Sequence, residues 1–138
     1  MVDLGSGIGK PCISFALVLG DYLVKCTGLE LLENLHAESL KLKAKYDEEP
    51  RPCVVEYTRT DFLENWQTWA DKELIFANAT AFTPEMLESV GKIWTQYGKP
   101  GSVFILTSNE LVVEQEPVLV MELPMSWGAT KVRAYVHA

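Results

Sequence analysis

The stretch Asp3-Leu4-Gly5-Ser6-Gly7-Ile8-Gly9 decides how this chain is read. It sets glycine at three alternate positions between an apolar segment, Met1–Leu4, and a helical one, Cys12–Leu19. Pro11 sits in the first turn of that helix, where a missing N–H costs nothing. Glycines between a strand and a helix let the backbone turn tightly and let a ligand approach it closely. In open α/β sheets such ligands bind outside the carboxyl ends of the strands. The alternative is a tight turn that binds nothing.

Three ligand loops compete for this spacing. A phosphate loop needs four residues between its glycines, then Lys and a hydroxyl residue. Here three residues separate Gly5 from Gly9, and Lys10 is followed by Pro11. A nicotinamide fingerprint needs GxGxxG, and the third glycine comes one residue early. What remains is Asp-x-Gly-x-Gly-x-Gly, the S-adenosylmethionine pattern of class I methyltransferases. Two further acids support it. Glu30 ends the second strand about 20 residues beyond the loop, where an acid is expected to accept ribose hydroxyls. Its other reading is an acid favoured by a helix N-terminus. Asp61-Phe62 follows the third strand, where a carboxylate can accept an adenine amino group and an aromatic ring can cover the base. Their other reading is a cap and a core Phe.

Outward from the loop, short apolar runs alternate with helical stretches. Leu23–Leu29 reads as the second strand, with Val24, Cys26 and Leu29 inward. Leu31–Tyr46 reads as an amphipathic helix whose stripe is Leu31, Leu35 and Leu42, with Glu33 and Lys41 turned away. Cys53–Tyr57 and Leu74–Ala77 are the third and fourth strands. Thr83-Pro84-Glu85 opens a helix to about Tyr97, with Thr83 as N-cap and Pro84 at the first position. Ser102–Leu106 is the fifth strand. Val118–Leu123 and Lys131–His137 are the last two, joined through Pro124–Gly128. Trp66, Trp69 and Trp94 read as packing, Trp94 sharing a helix face with Val90 and Ile93. The alternation predicts an α/β fold. Specifically it is a Rossmann-like, seven-stranded, mostly parallel sheet with helices on both faces and an antiparallel closing strand pair, in one domain over residues 1–138.

Composition fits an ordered domain: 138 residues, 48% hydrophobic and 22% charged. No apolar run reaches the ~18 residues of a membrane span. Met1 is followed by Val2 and Asp3 rather than a basic leader, so an intracellular location with no membrane partner is expected. Cys12, Cys26 and Cys53 have no CxxC spacing, so neither a disulfide scaffold nor a metal site is expected. The net charge is −7, from 19 acidic and 12 basic residues. The densest basic stretch is Lys41, Lys43 and Lys45. That disfavours autonomous nucleic-acid binding and favours attraction to basic protein tails.

Over essentially its whole length the chain resembles class I methyltransferases. More narrowly it is similar to the non-SET histone-lysine methyltransferases of the disruptor-of-telomeric-silencing type. Asp3-Leu4-Gly5-Ser6-Gly7-Ile8-Gly9, Asp61-Phe62-Leu63, Ile75–Phe82, and Ser126-Trp127 with Ala134-Tyr135-Val136-His137 match that family's blocks in order. The resemblance implies S-adenosyl-L-methionine as cofactor. Asp3, Gly5, Ser6, Gly7 and Gly9 form its loop, Glu30 holds the ribose, and Asp61 and Phe62 hold the adenine. It implies Asn78 as the catalytic residue, touching cofactor and substrate entrance, and Phe82, Trp127 and Tyr135 along the substrate channel. It also implies a histone or nucleosome substrate and a nuclear location, against a cytoplasmic one for other substrates.

Two departures bear on lysine specificity rather than on cofactor chemistry. Ala79 and Thr80 follow Asn78 where the family has a second Asn and an aromatic residue. Ala134 stands where the family has the first of two tyrosines. The family also has a helical N-terminal lobe ahead of the glycine strand; this chain starts at that strand and reads as a minimal or truncated enzyme. No general base stands out, and His36, on a polar helix face, and His137, near the end, read as bystanders. Two other readings stand beside histone-lysine methylation. One is a degenerate cofactor-binding or interaction module on the same fold. The other is a class I enzyme for another protein or a small molecule.

Overall fold

The computed structural model describes residues 1–138 and resolves two compact units, Met1–Asn65 and Trp66–Ala138. The first contains β1 (Val2–Leu4), α1 (Lys10–Leu19), β2 (Lys25–Glu30), α2 (Glu33–Tyr46) and β3 (Val54–Arg59). Its strands lie parallel in the order β3-β2-β1, with Asp3 opposite Gly28 and Gly28 opposite Tyr57. The loops that leave β1, β2 and β3 therefore emerge at one end of the ladder. Below them Cys12, Ala16, Cys26, Tyr46, Cys53, Val55 and Tyr57 form the core.

Two expectations for this unit are corrected. Val24 is 85% exposed rather than inward, because it lies in the bend before the ladder starts at Lys25. Leu31 lies outside α2, which begins at Glu33, and is exposed. One face of α2 packs against β3. Ser39 and Tyr46 are its buried members, and Leu35, His36 and Leu42 are half-buried. His36 thus faces the packing rather than a polar surface. Ser39 suits the centre of that face because its hydroxyl donates to the His36 carbonyl at 2.7 Å. Tyr46 closes the helix by donating its hydroxyl to the Cys53 carbonyl at 2.7 Å.

The second unit begins with a 3-10 turn at Trp66–Thr68 and continues through β4 (Leu74–Asn78), a 3-10 turn (Ala79–Ala81) and α3 (Pro84–Tyr97). It ends with β5 (Val103–Thr107), β6 (Leu119–Met125) and β7 (Gly128–Val136). Its strand order is β4-β5-β7-β6; β4 and β5 are parallel, and β7 runs antiparallel to β5 and β6. These are the seven strands and the antiparallel closing pair expected from the sequence. The start of α3 is also as expected, with Thr83 Oγ1 accepting the Met86 N–H at 3.3 Å. Leu87, Val90, Gly91 and Trp94 are its buried residues, the i, i+3, i+4, i+7 stripe of a half-buried helix.

Trp94 and Trp69 both pack edge-on to Phe104, at 5.6 and 6.5 Å between ring centroids. The Trp94 indole N–H donates to Ser102 Oγ at 3.1 Å, which satisfies a donor that burial would otherwise strand. Trp66 stacks on Tyr97 at 4.1 Å, and His137 packs edge-on to Trp94 at 5.1 Å. The Pro124–Gly128 connection shrinks to two residues, Ser126 and Trp127, because pairing runs out to Met125 opposite Gly128. Pro124 therefore lies within β6, which tolerates it as an edge strand. Six of the seven β6 residues are exposed, Leu119, Val120, Met121 and Leu123 among them. No helix of the chain is long and apolar enough to cross a membrane.

Candidate functional site

The glycine loop folds against the end of β2. The Gly5 and Ser6 N–H groups both donate to the Leu29 carbonyl at 2.9 Å. Gly5, Gly7 and Gly9 have φ of 70°, 55° and 88°, a region that costs an L side chain about 1–2 kcal/mol. The last two serve different ends. A Cβ at Gly9 would lie 2.5 Å from the Tyr57 ring, whose hydroxyl donates to the Gly9 carbonyl at 2.6 Å. A Cβ at Gly7 would meet nothing within 4 Å. Gly9 is a packing requirement, whereas Gly7 keeps space open.

Glu30 ties the loop to β2. Its Oε2 accepts the Gly7 N–H and its Oε1 the Leu32 N–H, both at 2.8 Å. Each carboxylate oxygen has two lone pairs, so each keeps one acceptor position for a ligand. Asp3 lies close by and is buried, with neither oxygen hydrogen-bonded. Ser6 Oγ is likewise buried without a partner. Burial, and then the charge of Glu30, push the Asp3 carboxyl up to about 8. Beyond β3, Asp61 Oδ1 accepts the Leu63 and Glu64 N–H groups at 2.8 and 3.4 Å. Phe62 beside it is buried. Asp61 therefore caps its own turn with one oxygen.

Two of the core cysteines, Cys12 and Cys26, are poor nucleophiles. Burial, followed by the Cys53 thiol at 3.6 Å, pushes Cys26 up to about 12, and burial also raises Cys12. Protonated thiols neither attack nor bind metal well.

In the second unit Asn78 ends β4 in register with Thr107. Its Oδ1 accepts the Thr107 hydroxyl at 2.7 Å and the Thr80 hydroxyl at 2.8 Å. Phe82 is half-buried where the second 3-10 turn ends, its N–H donating to the Ala79 carbonyl at 3.0 Å. Trp127 is 56% exposed at the tip of the β6–β7 hairpin. Tyr135 is buried in β7, and its hydroxyl accepts the Leu111 N–H at 3.3 Å. The structure thus gathers Asp3, Gly5, Ser6, Gly7, Gly9 and Glu30 into one cradle and leaves the three channel candidates in three different settings.

Sequence reasoning missed Tyr57 and Gly28. A Cβ at Gly28 would lie 2.6 Å from Tyr57 Cδ1 and 2.7 Å from Ser6 Oγ. A glycine inside a strand is the available signal, since it marks a close approach. Thr80 and Thr107 were missed because isolated hydroxyl residues carry no spacing pattern.

The cradle fits S-adenosylmethionine on its own chemistry. A buried carboxyl with both oxygens unpaired lacks a cationic partner, and the cofactor carries both an ammonium and a sulfonium. Glu30 keeps two acceptor positions, the number that the two hydroxyls of a ribose call for. The open side of Gly7 leaves room against the backbone.

The family model described as histone methylation protein DOT1 matches residues 1–136. No curated protein sequence matches the chain. Among solved structures, an RNA methyltransferase from Salinibacter ruber in complex with S-adenosyl-L-homocysteine is similar, with a TM-score of 0.77 at 19% identity. That match covers 98% of this chain and 78% of the other. Magnesium protoporphyrin IX methyltransferase from Synechocystis, with bound cofactor, gives a TM-score of 0.71 at 12% identity, covering 99% of this chain and 69% of the other. TrmN from Thermus thermophilus gives 0.73 at 12% identity, covering 99% of this chain and 43% of the other. At these identities the likeness is one of fold.

Proposed function

We propose, from the premise that this chain belongs to the DOT1 histone methylation family and is an S-adenosylmethionine-dependent methyltransferase, that it methylates a lysine amine of a histone or a similarly basic protein. The observation that carries this reading is the family match over residues 1–136. The charge supports it. A net −7 attracts basic tails and disfavours a polyanion such as RNA. A nuclear location goes with this substrate.

The cofactor supplies a methyl group already activated on sulfur. In this reading Glu30 takes the ribose with the lone pairs that Gly7 and Leu32 leave free. Asp3 supplies the negative charge for the ammonium. Asp61 and Phe62 serve the adenine, and Gly5, Ser6 and Gly7 the methionine part. Asn78 acts at the transfer site. The residues have no bond-making of their own to do, so catalysis is positioning. A lysine amine titrates near 10.4 and must be neutral to attack. In this reading Phe82, Trp127 and Tyr135 serve the substrate channel, whose apolar surface disfavours the ammonium form.

The direct test offers labelled cofactor with core histones, nucleosomes, total RNA and a small-molecule panel. Label on a histone lysine, located by mass spectrometry, is the expected result. Label on RNA alone overturns the substrate, and cofactor binding without any turnover favours a binding module.

Asp3 gives this reading a signature in pH. In the free chain its carboxyl is protonated at neutral pH, and stability from this group falls as pH rises from about 4 to about 8. A cationic partner reverses the preference and expels the proton. Cofactor affinity should therefore rise with pH from neutral towards about 8. Titration calorimetry at pH 7 in buffers of different ionisation enthalpy should count close to one proton released. Asp3→Asn, which mimics the neutral carboxyl, should fold and lose that release. A proton count independent of this residue contradicts the assignment.

A further inference from the structure

Asn78 belongs to a chain of hydroxyls, all in the second unit. Its Oδ1 meets Thr107 at 2.7 Å and Thr80 at 2.8 Å. Thr80 Oγ1 lies 2.8 Å from Ser108 Oγ, and Ser108 Oγ lies 3.2 Å from Thr130 Oγ1. Each hydroxyl has a single proton. Thr107 and Thr80 give theirs to the amide oxygen, so Ser108 must donate to Thr80 and Thr130 to Ser108. The direction of the whole chain is fixed, from β7 toward the end of β4.

Ser108 is the one non-glycine residue with positive φ, at 73°. Its N–H donates to the Lys131 carbonyl at 2.9 Å, which holds this conformation against β7. The Asn109 side chain donates to the Ala79 carbonyl at 2.7 Å, tying the segment after β5 to the turn after β4. Local strain held by surrounding bonds is found where a precise orientation is needed.

We propose that Thr107 and Thr80 are positioning residues that lock the Asn78 amide with its oxygen turned away from the reaction and its N–H groups presented. The proposal rests on the methyltransferase reading and deepens it. With both lone pairs of Oδ1 engaged, Asn78 serves as a donor only. A neutral amine must keep its lone pair for the methyl carbon, so a donor aimed at that nitrogen would block attack. Asn78 therefore grips a carbonyl or carboxylate of substrate or cofactor, and the amine being methylated is oriented by another group. This also gives Thr80 a use at a position where the family resemblance leads one to expect a different residue.

The test reads the lock and its use separately. Labelling with 15N-asparagine gives four side-chain amide pairs, from Asn34, Asn65, Asn78 and Asn109. The pair lost in Asn78→Asp is that of Asn78. In the cofactor-free chain Thr107→Val and Thr80→Val should shift and broaden that pair, and Thr107→Ser should restore it. With cofactor and an accepted substrate, Thr107→Val should lower kcat by about 10–100-fold with KM and cofactor Kd within about threefold. Thr107→Ser should recover most of the rate. Asn78→Asp, which still accepts both hydroxyls but presents no donor, should fold and lose turnover. An Asn78 pair indifferent to both valines overturns the lock. A shifted pair with unchanged kcat overturns its catalytic use. If the wild type turns over no substrate, the methyltransferase reading fails and the catalytic use with it, while the amide spectrum still decides the lock.

Discussion

Gly9→Ala is expected to cost the fold, and Gly7→Ala only the cofactor. The two glycines share a loop and a left-handed backbone, with φ of 88° and 55°. An alanine at either pays about 1–2 kcal/mol for that conformation. At Gly9 the new methyl also meets the Tyr57 ring at 2.5 Å, an overpacking worth about 1–3 kcal/mol. The ring has little room to give, since its hydroxyl is bonded to the Gly9 carbonyl and its Cδ1 lies against the position of a Gly28 Cβ. The combined loss is a large part of the ~5–15 kcal/mol that holds a domain together. Thermal melting should show Gly9→Ala shifted down by about 10 °C or more. Gly7→Ala meets nothing within 4 Å and should melt within a few degrees of wild type. In the proposed function its methyl enters the space of the cofactor, so cofactor binding should fall below detection by calorimetry. Equal melting of the two variants, or undiminished binding by Gly7→Ala, contradicts this division.

Glu30→Gln should be the most damaging substitution among the polar residues of the cradle. Hydrogen bonds to a charged group are worth about 1.5–3 kcal/mol each. Glu30 makes two to backbone N–H groups at 2.8 Å and, in the proposed function, two more to ribose. Glutamine keeps one oxygen and turns an N–H toward the other donor. One backbone N–H, of Gly7 or Leu32, is then left unpaired, and one ribose contact loses its acceptor. Cofactor affinity should fall at least about 100-fold, which is about 2.7 kcal/mol. Melting should fall too, because the loop loses its tie to β2. Unchanged affinity in equilibrium binding would remove Glu30 from the site.

The cradle was legible because its constraints are local. Gly5, Gly7 and Gly9 announce a backbone that only glycine adopts cheaply, and the acid at the end of the next strand follows from parallel topology. Thr83 and Pro84 fixed the start of α3 for the same reason. Legibility failed where the outcome depends on distant partners. Val24 and Leu31 read as core by periodicity, but each falls just outside its element, where nothing covers it. His36 read as a polar-face residue, but it sits beside Leu35 and one turn before Ser39, at the border of the packed face. Tyr57 matters because it crosses to Gly28 and Gly9, a contact of long sequence separation. The hydroxyl chain from Thr130 to Asn78, with Thr107, gathers residues from three strands and two turns, and no spacing along the sequence foreshadows it.

The outer strand β6 bears on how the chain behaves as a solute. Its free edge is a row of unpaired backbone donors and acceptors, and its apolar side chains face water on both sides. Natural edges are blunted by lysines, prolines or inward charges. Here only Glu122 and Pro124 do so, and the run from Val118 to Met121 has neither. Strand-to-strand association along this one border is therefore the expected behaviour of concentrated solutions, to be read by light scattering against protein concentration. The net charge of −7 is what opposes that association, and added salt, which screens charge, weakens the opposition.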